Sequence, residues 1–345
     1  MIDIDFPTLQ GIGFKQHFVS QLAASLPQQR LARVTTVQRD WMTLTDGCTT
    51  FSARHAHHSR HTEPAVVGDW VLVTDSGGEH WVDSVLAPLT RLTRRTPAGR
   101  QVLASNVDTA LLLMGLDNDF NPRRMERYIA LVRACAVAPV MVLTKEDIGA
   151  DAADKIAQLR QRIPADVPVL ALHPAGQRDD GVLEPWLGAG QTLVLLGSSG
   201  VGKSTLTNAL AGSEQATGGT RHGDDRGRHT TTARSLHRCP GGACIIDTPG
   251  LRAWQPDADE EALALSFDDI AALAGRCQFR DCSHESEPGC AVRGEVDADR
   301  LRNYRKLLRE SRRAEQTPLE RIAARGKWKT LMKEAKQRGR DKRGG

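Results

Sequence analysis

Eight residues, Gly197-Ser198-Ser199-Gly200-Val201-Gly202-Lys203-Ser204, constrain this 345-residue chain more than any other stretch. They fit the pattern G-x4-GK[ST] and lie between an apolar run over 191–197, QTLVLLG, and a segment of helical spacing after Lys203. Glycines let such a loop curl until successive N–H groups face one anion, and the helix start adds positive potential. In this arrangement Lys203 neutralises β and γ phosphates, Ser204 ligates magnesium, and the main chain through Thr205 wraps the phosphate groups. A strand feeding a helix through this loop also calls for a parallel sheet around it.

The rest of the chain supplies that sheet. From Asn106 onward apolar runs alternate with helical patterns: VDTALLLMGL, a helix opened by Asn121-Pro122, APVMVLT over 138–144, a helix over about 150–162, VPVLAL, the phosphate loop and its helix, and ACIIDT over 243–248. The reading is an α/β domain with a mostly parallel sheet and its ligand at the carboxyl ends of the strands. Upstream, residues 30–95 carry short runs such as LARVTTV, WMTL and AVVGDWVLVT, with Asp46-Gly47 and Gly77-Gly78 as turn signals, which predicts a small β-barrel. His55, His57, His58 and His61 fall between two of these strands and read as a polar loop, because no cysteine or carboxylate completes a ligand set.

Two further motifs occupy places where a phosphate-loop protein needs chemistry. Thr144-Lys-Glu-Asp147 follows the 138–144 strand; the Asp147 carboxylate can accept two hydrogen bonds from the paired N–H donors of guanine, which selects GTP over ATP, and the stem of Lys145 can lie along the base. Thr144 stands where the usual motif has asparagine, so its hydroxyl can replace only part of the bonding between neighbouring loops. Asp247-Thr-Pro-Gly250 follows the ACIID strand: Asp247 is placed to support magnesium through water and the Gly250 N–H to sense the γ-phosphate. The glycine-rich stretch between these motifs suits a mobile switch, in which one of Thr230, Thr231 and Thr232 completes the magnesium shell, with Thr231 the expected ligand. Leu251 follows Gly250, where many such enzymes carry a water-orienting glutamine. Turnover by the chain alone should therefore be slow, with His229 or a bound partner ordering the attack.

Farther on, Cys277-x4-Cys282-x-His284-x5-Cys290 gathers three thiolates and an imidazole, four soft ligands with no open position, which describes a structural tetrahedral zinc site. Charge is distributed unevenly. From Arg300 onward there are 17 Lys and Arg against 5 Asp and Glu, a net +12 that leaves −8 for the first 299 residues. A basic tail of this kind suits a polyanionic partner. No run of eighteen apolar residues and no signal-peptide pattern occurs, so a cytoplasmic protein without a membrane partner is expected.

The order of these motifs, with TKED ahead of GSSGVGKS and then GRHTTT, DTPG and the Cys3His cluster, resembles the circularly permuted GTPases and specifically the ribosome small-subunit-dependent GTPase A (RsgA) family. QVLASNVD and the closing PGC of the zinc motif add to the resemblance, which spans about 30–310. It implies an OB-fold as the N-terminal barrel, a circularly permuted P-loop GTPase domain in the centre and a helical zinc-binding domain at the C-terminus. The expected division is an N-terminal extension over 1–29, the barrel over 30–98, the GTPase domain over 99–255, and the zinc domain with its basic tail over 256–345. The resemblance further implies GTP as substrate and GDP as product, magnesium and one zinc as metals, and the small ribosomal subunit with its rRNA as partner. Hydrolysis would be stimulated by that subunit during late maturation, and a monomer is expected. Where relatives carry a Ser-Ala loop this chain has Ala171-Leu172-His173. The competing readings are a P-loop ATPase or small-molecule kinase, an RNA-binding scaffold that only switches with nucleotide, and a GTPase acting on another structured RNA.

Overall fold

The computed structural model describes residues 5–24, 28–55, 64–96, 99–145, 151–172, 181–212, 234–248 and 260–315. The chain divides into two compact units, Met1–Gln255 and Pro256–Gly345.

In the first unit, β1 (Gln29–Val37), β2 (Met42–Thr45), β3 (Thr50–His55), β4 (Trp70–Ser76) and β5 (Glu79–Val85) run in the order β1-β2-β3-β5-β4, and β4 pairs back onto β1. This closes the five-stranded barrel expected from the sequence, with the strand order of an OB-fold. Ala32, Val34, Met42, Leu44, Ala53, Val71, Val73 and Val82 fill it, the inward half of alternating strands. The short helices α1 (Phe6–Gly11) and α2 (Gln16–Val19) bring Phe14 and Phe18 onto Trp70, ring centroids 5.0 and 6.1 Å away. A separate hairpin of β6 (Arg91–Thr96) and β7 (Gly99–Ser105) follows the barrel. The sequence signals it only weakly, because arginines and threonines, not apolar residues, make up most of β6.

The second part of this unit is the parallel sheet. Its elements are β8 (Thr109–Gly115), α3 (Pro122–Ala134), β9 (Ala138–Thr144), α4 (Ala152–Arg160), β10 (Val169–Ala171), β11 (Thr192–Gly197), α5 (Lys203–Ala211), β12 (Ser235–Arg238) and β13 (Cys244–Asp247). The order is β10-β9-β8-β11-β13-β12, parallel except for β12, which runs antiparallel to β13. β8, β11 and β13 are buried along their whole length, which is why they read as continuous apolar runs. As expected, Asn121 caps α3 by accepting the Arg124 N–H at 3.1 Å, and Pro122 takes the first helical turn.

The chain moves outward from β8 to β10, returns to β11 beside β8, and then moves the other way. The crevice where strand order reverses, the usual ligand site of an open α/β sheet, therefore lies between β8 and β11. One junction had no signal in the sequence: β12, a four-residue strand, pairs with β1 through Thr36 and Ser235 and joins barrel and sheet into one system of 11 strands. Arg33 on β1 is fully buried at that junction. Its guanidinium donates to the carbonyls of Ile12, Gly68 (3.3 Å) and Asn106 (3.2 Å) and to Thr192 Oγ1 (3.0 Å) at the base of β11.

The second unit has α6 (Glu260–Ser266), α7 (Asp268–Ala274) and α8 (Ala298–Glu315), with a largely irregular stretch between α7 and α8. Phe267, Ile270, Leu263, Val292, Leu301 and Leu307 are buried. Arg300 is buried against the Phe267 ring, 4.6 Å from its centroid, and makes a two-pronged bond to Asp269 at 2.7 and 2.8 Å. The basic tail beyond Glu315 lies outside the described residues.

Candidate nucleotide and metal sites

The phosphate loop leaves β11 and enters α5 with its backbone held at two points. Gly197 has no room for a side chain, since a Cβ there would stand 2.7 Å from the Leu113 carbonyl oxygen on β8. Val201 is buried in the sheet core. Between them Ser199 and Gly200 are exposed, while Gly200 and Gly202 adopt φ of +79° and +101°, a left-handed conformation that glycine enters without cost. Nothing lies within 4 Å of a Cβ at either position, so the requirement there is backbone conformation, not space.

Lys203, the first residue of α5, is buried, and its Nζ donates to the carbonyls of Gly197 (3.1 Å) and Ser198 (2.6 Å). An ammonium has three donors, so one is left for an anion at the loop. Burial pushes the Lys203 pKa down, opposed by the charges of Asp247 and Asp119. Ser204 and Thr205 follow in the first turn of α5.

Asp247 ends β13 and is buried, with its pKa pushed up by burial and held back by Lys203 and His237. Its Oδ2 is buried and has no hydrogen-bond partner. A desolvated carboxylate oxygen left unsatisfied beside a lysine is costly unless a ligand completes it, and a hydrated magnesium ion suits this oxygen. Next to it, Thr248 Oγ1 donates to the Leu195 carbonyl at 2.8 Å and locks the end of β13 to β11.

The base motif begins where β9 ends. Thr144 Oγ1 donates to the Val201 carbonyl at 2.9 Å, so the hydroxyl does tie this loop to the phosphate loop. Lys145 has φ +63° and its Nζ pairs with Asp117 Oδ2 at 2.8 Å, which holds the Asp117 carboxyl below its ordinary range. Asp147, Gly250, His229 and Thr231, together with Thr230, Thr232, Leu251 and His173, lie outside the described residues, as do His57, His58 and His61. The loop after β8 adds functional residues that no motif in the sequence marks. There Asp119 Oδ2 accepts from Ser198 Oγ at 2.7 Å and pairs with Arg124 at 2.8 Å. Its available signal was position: two aspartates just beyond the carboxyl end of an apolar strand in a sheet of this class.

In the second unit, one ligand atom from each of Cys277, Cys282, His284 and Cys290 lies within 4.8 Å of the others. His284 Nδ1 is 3.7 Å from the Cys277 sulfur and 3.5 Å from that of Cys290. Tetrahedral zinc with Zn–S of about 2.3 Å and Zn–N of about 2.0 Å sets sulfur and nitrogen about 3.5 Å apart, so the cluster fits that ion. His284 itself sits at φ +58°. The Glu287 carboxylate accepts the N–H groups of Ser283 (2.9 Å), Glu285 (2.9 Å) and Ser286 (3.0 Å), which folds the loop that presents it.

A glycine-framed loop at the switch point, a lysine opening the helix that follows it, a carboxylate at the end of the adjacent strand, and a base motif that precedes both in the chain define a P-loop GTPase in circularly permuted order. Solved structures described as "YloQ, a circularly permuted GTPase" and "YjeQ from Thermotoga maritima" share the fold, with TM-scores of 0.60 and 0.61 at 23% identity; each alignment covers 84% of this chain, and 97% and 100% of those chains. A family model described as RsgA GTPase matches residues 86–257. Relatives from Xanthomonas oryzae pv. oryzae and Xanthomonas axonopodis pv. citri, each named "Small ribosomal subunit biogenesis GTPase RsgA", are 42% and 41% identical. They cover 93% and 92% of this chain and 93% of their own lengths. This chain belongs to the RsgA GTPase family.

Proposed function

We propose that the chain hydrolyses GTP during maturation of the small ribosomal subunit, binding that subunit's rRNA and being stimulated by it. The observation that carries the chemistry is the juxtaposition of Lys203, with one donor to spare, and the orphaned Oδ2 of Asp247 beyond the carboxyl ends of β11 and β13. The main chain of Gly197, Ser198, Ser199, Gly200, Val201, Gly202, Lys203, Ser204 and Thr205 cradles the phosphates, and Lys203 neutralises charge that develops during transfer. Ser204 and Thr231 would ligate magnesium, with Asp247 behind a bound water; the ion supplies charge neutralisation at the β and γ oxygens. Asp147 reads guanine, Lys145 covers the base, and Thr144 keeps that loop against Val201. The Gly250 N–H senses the γ-phosphate, and His229 orients water in place of the glutamine that Leu251 replaces.

Cys277, Cys282, His284 and Cys290 hold zinc, a structural ion that fixes the loop between α7 and α8. The barrel and the basic tail engage rRNA, and salt should weaken subunit binding steeply. We read the chain as a cytoplasmic monomer; no described helix is long and apolar enough to cross a membrane.

The test is steady-state GTP turnover with and without purified small subunits. Stimulation that saturates with subunit concentration is expected. No stimulation at any ratio would favour the scaffold reading or another RNA. Asp147→Asn should move preference from guanine toward xanthine nucleotides, and unchanged GTP use would overturn the base assignment.

A further inference from the structure

The loop after β8, residues 115–121, touches both halves of the nucleotide site. Gly115 opens it and has no room for a side chain: a Cβ would stand 2.4 Å from Asp117 Oδ1 and 3.4 Å from the Asp119 Cβ. The loop is therefore folded back on itself. Asp117 Oδ1 accepts the Asp119 N–H at 3.1 Å, while Asp117 Oδ2 takes the Lys145 ammonium. Asp119 Oδ2 in turn accepts the Ser198 hydroxyl. Arg124, in the first turn of α3, grips Asp119 twice, through Oδ2 and through its carbonyl at 2.5 Å. The Asp119 carboxylate is thus fixed from behind before it meets the phosphate loop.

Ser198 is the residue whose own carbonyl takes the shorter of the two Lys203 bonds, 2.6 Å. Its side chain is held by Asp119 and its main chain holds Lys203. Ser198 and its neighbour Ser199 lie in the part of the loop that the sheet core does not grip, since only Gly197 and Val201 are anchored there. Without an outside tether this part of the loop would sample several conformations, and nucleotide would have to bear the entropy of ordering it.

We propose that Asp119, braced by Arg124, is a positioning residue that sets the Ser198 carbonyl and through it the Lys203 ammonium for nucleotide binding. The inference rests on Lys203 being the phosphate-binding lysine. Lys203 serves the β-phosphate of GDP as well as GTP, so the loss on breaking the tether falls on the affinity of both nucleotides.

The experiment is a double-mutant cycle on the full chain, with Ser198→Ala, Asp119→Ala and the double variant, read by binding of fluorescent GDP and GTP analogues and by steady-state kinetics. Each single variant should weaken both nucleotides by about tenfold and raise KM in step, and kcat should fall as well, though far less than in Lys203→Ala, because Lys203 also meets the charge that develops in transfer. The double variant should be no weaker than the worse single one, because both remove the same tether. Asp119→Asn keeps an oxygen for the Ser198 hydroxyl and should bind within about threefold of wild type. Should Asp119→Ala not fold, Ser198→Ala and Asp119→Asn carry the test. Affinities unchanged by Ser198→Ala, losses that multiply in the double variant, or an Asn variant as weak as the Ala variant would each overturn the proposal. Lys203→Ala separates the two levels. If it leaves affinity intact, the phosphate-site reading itself fails; if it abolishes binding while Ser198→Ala does nothing, only the role of Asp119 fails.

Discussion

The two units solve the problem of holding polar side chains in place by opposite means. In the first, the site sits on strand ends, and β8, β11 and β13 are buried from end to end, so packing of Leu111, Leu113, Leu195 and Ile245 fixes the backbone before any ligand arrives. In the second, two helices of 7 residues and one of 18 bury few apolar residues among those described, and a Cys3His cluster with a carboxylate-capped loop lies between α7 and α8. A small core of that kind needs a staple, whereas a wide parallel sheet does not. Ligand removal should therefore destroy structure in one unit and only function in the other.

The largest expected effect is on the zinc side. Structural zinc contributes about 10 kcal/mol or more to small domains. Chelation at neutral pH should melt the helices of the second unit, seen as lost helical circular dichroism and rapid cleavage within 260–315, while binding of a fluorescent GDP analogue stays within about twofold. Loss of GDP binding in step with zinc would break the comparison.

Lys203→Ala is the converse. Turnover should fall by about 10³-fold, in the range seen when one preorganised transition-state donor is removed. Metal content should match that of the wild type and the thermal midpoint should not fall, because the substitution removes a buried, desolvated ammonium. A falling midpoint would mean that this lysine also carries the fold.

Next is the junction of barrel and sheet. Arg33→Met strands the carbonyls of Ile12 and Asn106 in a buried place, while Gly68 keeps the Asn106 Nδ2 donor at 3.0 Å, and should cost roughly 3 kcal/mol of first-unit stability in denaturant titration. A loss below about 1 kcal/mol would show that the β1–β12 pairing alone holds the two sheets together.

The smallest effect has the opposite sign. Asp247 is pushed up by burial, so in the nucleotide-free protein its ionisation costs stability. Because the folded pKa lies above the ordinary value of an aspartate carboxyl, the unfolded chain ionises first, and stability falls as pH rises from there through the folded pKa. Asp247→Asn should therefore stabilise the free protein on the order of 1 kcal/mol at neutral pH, and by nothing in acid, while abolishing magnesium-dependent hydrolysis. A destabilised variant would show that the carboxylate is satisfied without a ligand.

Much of the molecule was legible in the residues because its signals are local. A buried parallel strand is an apolar run, a phosphate loop is a glycine pattern at a strand-to-helix joint, and four soft ligands close in sequence bind as one set. On that basis the strands of the barrel and sheet, the Asn121 cap and the Cys277 to Cys290 cluster could be placed beforehand. The role of the Thr144 hydroxyl could be anticipated only in part, since its partner at Val201 is 57 residues away.

What tertiary structure alone decided are contacts between distant, ordinary-looking residues. Arg33 reads as one arginine among 46 basic residues until folding buries it beneath three carbonyls and Thr192, 159 positions distant. The four residues of β12 have no periodicity to read, because so short a strand is defined by the neighbours it finds, here β13 on one side and β1 on the other. Asp119 is a loop aspartate by sequence, and only the return of β11 to the side of β8 brings Ser198 within 2.7 Å of it. Local pattern reports which backbone a segment favours. Which buried or strand-end polar groups meet depends on strand order, and strand order is set by the packing of the whole sheet.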